Sequence, residues 1–460
     1  MHFFSISELS SVFRAKKLSP VEVTNHLLDR IESTSSTLAA YVTVTAERAR
    51  SQARRAEQEM MAGNWRGTLH GVPLAFKDIF FSDFAPTTAG GLVHKNFLPS
   101  FSSTTITRLE AAGAITLGKL KTTEHAFAEH HPALPPPLNP WDSSIWTGVS
   151  SSGSGVATAA GLAYGTLASD TGGSIRFPAA ANGVTGLKPT WGRVSRHGVF
   201  ELAATLDHVG PMARTAMDCA ILLDNIAGFD INDRTSLVDP VPNYEAAALQ
   251  PIGGLRVGLP VGYAEEDIDV EIVAAWRDAA AVLQDLGAVL IEVPFPDWRN
   301  ASSQWAALCS AQTALAHSDT YPARADEYGT RLRSLLDKGL SASATEIASA
   351  LQSQVTLTSE LRTLFSTIDV LLTPVTIWPI PTVLEWSKLA GEELTDLVRF
   401  TVPFNFSGNP CLTLPAGVDH RGLPVSIQLV GQHLGEEAIL RAGVAFQRST
   451  NWHTRRPPAM

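Results

Sequence analysis

A serine that directly follows two glycines, in the segment SDTGGSIRFP at residues 169–178, has a setting that suits chemistry. Consecutive backbone N–H groups around Gly172 and Gly173 can form an anion-binding site, and the hydroxyl of Ser174 would face the same anion. A phosphate-binding loop would need a lysine before the Ser/Thr, and a dinucleotide-binding loop would need G-x-G-x-x-G; neither is present here. The remaining functional interpretation is acyl transfer with Ser174 as nucleophile, and the ordinary alternative is a plain turn.

A serine hydroxyl is a weak nucleophile unless a base takes its proton, so the sequence must also supply a base. Histidine is the usual choice, but none of the 13 histidines lies in a motif that fixes a catalytic triad, and no G-x-S-x-G segment occurs. A lysine can serve if burial lowers its pKa from about 10.4. Lys77, in the apolar segment GVPLAFKDIF at residues 71–80, is such a lysine. Most lysines in segments of mixed polar and apolar residues carry their charge to the surface. Lys77 alone is therefore weak evidence for a catalytic base.

A long segment around the Ser174 loop strengthens the case that Ser174 and Lys77 are catalytic. Residues 146–199 contain a Ser/Gly-rich loop, a helix of small residues, a short strand and then the SDTGGSIRFP loop. The segments Gly148–Ser154 (GVSSSGS) and Asp170–Arg176 (DTGGSIR) resemble the motifs of the amidase signature family of Ser-cisSer-Lys hydrolases. Further matching segments are NPWD, GLKPTWGRVSRHG, GPMARTAMDCAILLDNIAG, DVLLTP and GLPVSIQLVG. The resemblance covers about residues 5–230 and 365–457, and no motif is placed between them.

The resemblance implies roles for three residues. Ser174 is the implied nucleophile, Ser150 the relay serine that follows a cis peptide bond, and Lys77 the base. Each has an ordinary alternative, since Ser150 can be a helix N-cap, Ser174 a turn residue and Lys77 a charge at a strand end. Val149 and Ser152 stand where the family usually has glycine, which bears on the geometry of the relay loop.

The implied mechanism is a proton relay that needs no metal or cofactor. Neutral Lys77 would take a proton from Ser150, which would take one from Ser174 as that hydroxyl attacks the carbonyl. Water would then hydrolyse the acyl-enzyme by the same relay. The backbone N–H groups expected to bind the oxyanion are those of Thr171, Gly172, Gly173 and Ser174. The residues expected to brace these loops are Ser151, Asp170 and Arg176.

Aromatic residues near the motifs indicate an apolar pocket for the acyl or leaving group. An apolar pocket stabilises an aryl group and offers a zwitterion little compensation for lost hydration. The alternative is that these aromatic residues belong to the core. The residues in question are Phe127, Trp146, Phe400, Phe404 and Phe406.

Three functions are compatible with the motifs. The first is an amidase or aryl acylamidase, with carbamates (urethanes) and esters as further substrates because the same acyl chemistry cleaves them. The second is a glutaminase-type A subunit of an amidotransferase, although the acidic glutamine anchor cannot be placed. The third is a binding protein on an amidase scaffold, which the presence of Lys77, Ser150 and Ser174 disfavours.

The composition limits the classes of molecule that the protein is expected to bind. A net charge of −10 over 460 residues argues against nucleic-acid binding and favours a small-molecule substrate. The sequence shows no signal peptide and no apolar run of membrane-spanning length, so we expect a cytoplasmic protein without membrane contact, as a monomer or homodimer. Three cysteines, at positions 219, 309 and 411, match no metal-ligand spacing.

The expected architecture is one large α/β amidase-signature domain, with a mixed, mostly parallel sheet covered by helices on both sides. Local signals include Ser19, Pro20 and Glu22 at a helix start and a strand-helix-strand unit near residues 255–296. The predicted parts of the domain are an N-terminal helical region (1–65), a catalytic core (66–230), a variable α/β insertion with helical cover (231–365) and the C-terminal part of the core (366–460).

Overall fold

The backbone of the computed structural model, which describes residues 1–389 and 392–458, is organised around one 11-stranded sheet. The order of the strands is β1-β3-β2-β4-β6-β5-β10-β11-β9-β7-β8. Their bounds are β1 Tyr41–Val44, β2 Pro73–Lys77, β3 Ile115–Leu120, β4 Gly165–Asp170, β5 Thr185–Lys188, β6 His208–Ala213, β7 Arg256–Leu259, β8 Val289–Glu292, β9 Val370–Pro374, β10 Cys411–Val418 and β11 Pro424–Gly431.

The direction of the strands differs from the expectation. Across the described residues, six of the ten strand pairings are antiparallel, and only β2 with β3, β2 with β4, β7 with β8 and β7 with β9 are parallel. The expectation of a mixed sheet is therefore confirmed and the expectation of a mostly parallel one is wrong. The reason is that β5 and β6 pair antiparallel within the catalytic motifs, and the C-terminal hairpin β10–β11 joins β5 and β9 antiparallel.

Helices cover both sides of this sheet. Their bounds are α1 Ile6–Arg14, α2 Pro20–Thr34, α3 Ala46–Met61, α4 Thr104–Ala111, α5 Ser152–Ala159, α6 Arg176–Asn182, α7 Ala216–Ile226, α8 Tyr244–Ala248, α9 Val261–Glu265, α10 Val270–Asp285, α11 Trp298–Ala316, α12 Thr330–Ser341, α13 Ala344–Leu364, α14 Val383–Trp386, α15 Glu392–Leu397, α16 Val402–Phe406 and α17 Glu436–Ser449. In the described part of the chain, no helix is both long and apolar enough to cross a bilayer.

Local sequence signals account for several of these elements. Helix α2 begins with the predicted capping box, because the Ser19 hydroxyl accepts from the N–H of Glu22 at 3.1 Å while the Glu22 carboxylate accepts from the N–H of Ser19 at 2.8 Å. Pro20 occupies the first helical turn. The predicted strand-helix-strand unit is β7–α10–β8, with β7 and β8 parallel. It extends the same sheet beyond β9.

The segment without motifs supplies a group of helices. Helices α12 and α13 both pack on α11, and α11 also contacts α16. The Trp305 side chain of α11 reaches the Ser174 loop, so this group closes over that end of the sheet. Its place in the fold could not be assigned from the sequence.

Candidate active site

The parallel pairing of β2 with β4 sets the position of Lys77. Phe76 is paired with Leu167, so the last residue of β2 lies beside the carboxyl end of β4. The fully buried Nζ of Lys77 donates to the Ser150 Oγ at 2.7 Å and to the Ser169 Oγ at 2.9 Å. A lysine held between two hydroxyls in this way can exchange a proton with either of them.

Burial also changes the basicity of this lysine. Loss of hydration lowers the pKa of Lys77 to about 7, and the negative charges of Asp170 and Asp207 only partly oppose the decrease. A large fraction of Lys77 is therefore an uncharged amine at neutral pH. An uncharged amine can accept a proton from the Ser150 hydroxyl.

The loop that precedes α5, residues 148–151, is called the relay loop here, and it holds Ser150 by its backbone. The Val149–Ser150 peptide bond is cis, which is the geometry that the resemblance implies. The carbonyl oxygen of Ser150 accepts from the N–H of Thr123 and from the Thr122 hydroxyl, both at 3.1 Å. Gly148 has φ +75°, and a Cβ there would lie 2.5 Å from the backbone nitrogen of Pro178. Glycine is required at this position for both reasons.

The residues beside Ser150 join the relay loop to its surroundings. Ser151 donates its hydroxyl to the carbonyl of Ser169 at 3.2 Å and its N–H to the carbonyl of Ser174 at 3.4 Å. Ser152, one of the two departures from the family pattern, lies 3.0 Å from the Nε2 of His130. The loop accommodates that departure through a polar contact.

A buried ion pair braces the Ser174 loop. Arg176 donates through Nε and Nη2 to the two carboxylate oxygens of Asp170, each at 3.0 Å, and both side chains are fully buried. Burial raises the pKa of the Asp170 carboxyl, but the charge and hydrogen bonds of Arg176, the charge of Lys188 and the hydrogen bond from Asn405 together outweigh it and hold that pKa well below its usual value. Asn405 donates to Asp170 Oδ1 at 2.8 Å, which ties the loop to α16.

The backbone N–H groups of the loop do not all have the same use. The Gly173 N–H is donated to Asp170 Oδ1 at 2.7 Å, whereas the N–H groups of Gly172 and Ser174 have no acceptor among the described residues. The carbonyl of Thr171 accepts from the Trp305 Nε1 at 2.8 Å. Because a peptide unit is planar, this bond also fixes the direction of the Gly172 N–H. Gly173 therefore braces the loop, which differs from the expectation that all four N–H groups face the oxyanion.

A cavity of about 430 Å³ opens beside Ser174. Ser174 and Gly172 line it, while Lys77 and Ser150 are fully buried and are not part of its lining. Its wall is mostly apolar, and its aromatic lining residues are Phe127, Phe177, Trp305 and Trp386. The Oγ of Ser174 makes no hydrogen bond within the described residues, so it is available to a ligand in the cavity.

Only one of the aromatic residues proposed from the sequence lines this cavity, namely Phe127. Trp146 is buried and stacks on Trp386 with ring centroids 4.3 Å apart, so it supports a lining residue from behind. Phe400, Phe404 and Phe406 are fully buried, the first against Tyr263 and Trp298 and the other two in the cluster below α11. The prediction that these four side chains line the pocket is therefore wrong, because Trp146 lies behind Trp386 and the apolar segment around α16 packs into the core.

Sequence reasoning missed Ser169, Trp305 and Trp386. Ser169 could have been found once β2 and β4 were taken as parallel neighbours, because it then lies at the level of Lys77. Trp305 is on α11 with Ser302, Ala306 and Cys309 on the same face, and that spacing is a usable signal only when the helix is known to lie over the site.

Comparison with known proteins identifies the family. The Amidase family model matches residues 22–440. The putative amidase AmiD of Mycobacterium tuberculosis (strain ATCC 25618 / H37Rv) is 45% identical over 457 residues, which are 98% of this chain and 95% of that protein. The A subunit of the glutamyl-tRNA(Gln) amidotransferase of Trichlorobacter lovleyi is 38% identical over 481 residues, with 98% of each chain covered. The structure of a bacterial aryl acylamidase of the amidase signature family superimposes with a TM-score of 0.89 and 26% identity, covering 98% of this chain and 97% of that one. The chain belongs to the amidase family and is an enzyme that hydrolyses amides.

Proposed function

We propose that this amidase uses Ser174 as nucleophile, Ser150 as proton relay and Lys77 as base. The observation that carries the proposal is the 2.7 Å contact between the Lys77 Nζ and the Ser150 Oγ, at a lysine whose pKa burial lowers to about 7. As Ser174 attacks the carbonyl, its proton passes to Ser150 while Ser150 gives its own to Lys77. Ser150 then returns a proton to the leaving nitrogen, and water enters by the same route to hydrolyse the acyl-enzyme.

The oxyanion of the tetrahedral intermediate is stabilised by backbone N–H groups of the Ser174 loop. The N–H groups of Gly172 and Ser174 lack a protein acceptor among the described residues, and Thr171 joins them at the start of the loop. A single preorganised donor of this kind is typically worth about 2.7–4 kcal/mol in the transition state. Asp170 and Arg176 keep the loop in place and touch no substrate.

The substrates that suit this cavity are small amides with an aryl or other apolar part. Phe127, Phe177, Trp305 and Trp386 provide an apolar surface, which favours an aryl group by about 25 cal/mol for each Å² removed from water. The likeness to an aryl acylamidase structure supports this assignment. Aryl carbamates and esters present the same acyl carbon to Ser174, so they are further candidate substrates.

The second candidate is the glutaminase half-reaction, which the 38% identity to the A subunit of the amidotransferase favours. A glutamine zwitterion carries an ammonium group that needs an acidic partner. Among the described residues that line the cavity there is no Asp or Glu. This charge distribution supports the aryl amidase over the glutaminase.

A hydrolysis screen of the purified chain separates the two candidates. We expect turnover of 4-nitroacetanilide or an aryl carbamate, and negligible release of ammonia from glutamine. An aniline also leaves more readily than ammonia, which favours the same outcome. Comparable kcat/KM for glutamine, or turnover only with an added partner protein, would favour the glutaminase.

A further inference from the structure

Two cationic side chains on helix α12 line the cavity that contains Ser174. They are Arg331 and Lys338, and Ser334 and Leu335 line the cavity between them. Spacings of three, four and seven residues place these side chains on one face of the helix. Arg331 and Lys338 are seven residues apart, so a rise of 1.5 Å per residue separates their backbones by about 10 Å along the helix.

These cations are not balanced by acidic lining residues. Among the residues the structure describes, no Asp or Glu lines the cavity, although the chain as a whole has a net charge of −10. Within the described residues, Arg331 has one ionic partner, Glu129, at 3.5 Å, and both side chains are more than a third exposed. No described carboxylate forms an ion pair with the Lys338 Nζ, although Glu346 in the first turn of α13 lies close enough to interact with its charge. The charged part of the wall is therefore positive.

Helix α12 contributes to the cavity wall from an element other than those that carry Lys77, Ser150 and Ser174. It packs on α11, and it is the Trp305 side chain of α11 that bonds to the Ser174 loop. Packed helices are about 8–10 Å apart. A ligand that extends from Ser174 to the face of α12 would lie along the side chains of Trp305, Ala306 and Cys309, which line the same cavity.

We propose that the preferred substrates carry a carboxylate on the part remote from the scissile bond, and that Arg331 and Lys338 determine this specificity. The proposal rests on the proposed function and narrows its substrate class to aryl or apolar amides with an anionic end. Guanidinium and ammonium groups bind a carboxylate by charge-assisted hydrogen bonds. An ammonium group in the same place would be repelled.

Matched substrates test the preference on either side of the scissile bond. On the acyl side, the 4-nitroanilide of glutaric acid is compared with the neutral 4-nitroanilide of 5-oxohexanoic acid. On the leaving-group side, 4-acetamidobenzoate is compared with 4-acetamidoacetophenone. We expect a kcat/KM about tenfold higher for the carboxylate in at least one pair, as charge-assisted bonds of ordinary strength would give. Added NaCl should reduce this ratio, because the cationic side chains are partly exposed.

Variants on α12 test whether Arg331 and Lys338 cause the preference for a carboxylate. Lys338→Gln and Arg331→Gln should each lower the ratio toward one, through a loss of kcat/KM for the carboxylate member. Lys338→Glu should invert it. The control is Arg333→Gln, on the same helix but outside the lining, which should leave the ratio as in the wild type. Equal rates within both pairs, or a ratio unchanged in the Arg331→Gln, Lys338→Gln double variant, would overturn the proposal.

Calorimetry on the Ser174→Ala variant makes the test independent of turnover. We expect the carboxylate member of the preferred pair to bind with a Kd about tenfold lower than that of its neutral isostere. If wild type cleaves no anilide but this difference is present, the proposed function fails while the specificity stands. If the neutral anilides are cleaved but the difference is absent, the specificity fails while the proposed function stands.

Discussion

Complete burial makes the charged form of Lys77 costly, and this cost is what suits the residue to its proposed role. Two hydroxyls are the hydrogen-bond partners of its Nζ, at 2.7 and 2.9 Å, and no carboxylate of the described residues is in contact with it. Asp170 and Asp207 act only through space. A buried lysine with such partners is a base near neutral pH. Burial also lowers the pKa of Lys119, but there the Asp78 carboxylate, 3.0 Å from its Nζ, opposes the decrease by direct contact.

The pH dependence of the reaction follows from this environment. The active form holds Lys77 uncharged, so kcat/KM should rise with pH and level off above an apparent pKa of about 7. Lys77→Ala should remove this limb and lower kcat/KM by about 10²–10⁴-fold. The measurement is a profile of kcat/KM against pH across the neutral range on one neutral anilide.

Lys121→Ala is the matched control, since Lys121 donates to the carbonyl of Pro135 and has no contact with Ser150. This variant should keep both the limb and most of the rate. A histidine-dependent enzyme would keep the limb in Lys77→Ala, and that result would contradict the role of Lys77 as base.

At the scale of elements, the turn from β4 into α6 depends on the buried pair of Asp170 and Arg176. Arg176→Leu leaves the Asp170 carboxylate buried without its cation, and breaking a buried pair in this way costs about 3–5 kcal/mol of unfolding free energy. Denaturant unfolding should show a clearly lower midpoint. The control is Arg256→Leu, since Arg256 and Asp369 form a surface pair with side chains 42% and 34% exposed, and its loss should cost at most about 1 kcal/mol. Equal midpoint shifts in the two variants would contradict this account of the loop.

Helix α11 contributes to the same loop through one hydrogen bond. Trp305→Phe keeps an aromatic ring in the cavity but removes the Nε1 donor to the Thr171 carbonyl. Because this bond fixes the direction of the Gly172 N–H, we expect kcat to fall by about tenfold with little change in KM. Steady-state kinetics on a neutral anilide measures both. A higher KM with an unchanged kcat would mean that Trp305 only binds the substrate.

Sequence patterns predicted those elements whose signals are local. The capping box of α2 and the β7–α10–β8 unit follow from residues close together in the chain, and the motifs around Ser150 and Ser174 belong to one short stretch. The strand directions depend instead on distant pairings, such as β10 with β5. Alternation and apolar runs do not reveal these pairings.

The cavity wall was the least predictable part of the molecule. Phe400, Phe404 and Phe406 are adjacent to matched motifs in sequence, but the short helix α16 turns them into the core. Trp305 and the cations of α12 come from the segment without motifs and reach the site only by tertiary packing of α11 and α12. The residues proposed for the chemistry could therefore be predicted from the sequence, whereas those proposed to select the substrate, apart from Phe127, could not.

On the scale of the whole molecule, the site needs distant parts of the chain. β2 supplies Lys77, the loop before α5 supplies Ser150, the turn after β4 supplies Ser174, and α16 from the C-terminal part holds Asp170 through Asn405. One continuous sheet connects these parts and holds their loops in fixed relative positions. This preorganisation is the condition under which fixed N–H donors stabilise a developing oxyanion.

Covalent labelling of the intact enzyme by a fluorophosphonate, with the modified residue mapped by mass spectrometry, tests the central claim most directly. We predict that wild type and Ser151→Ala are labelled at Ser174, and that Ser151→Ala retains much of the hydrolytic activity. Ser174→Ala should show neither label nor turnover, while keeping the unfolding midpoint of the wild type. Labelling that persists in Ser174→Ala at another serine would contradict the assignment of Ser174 as the nucleophile.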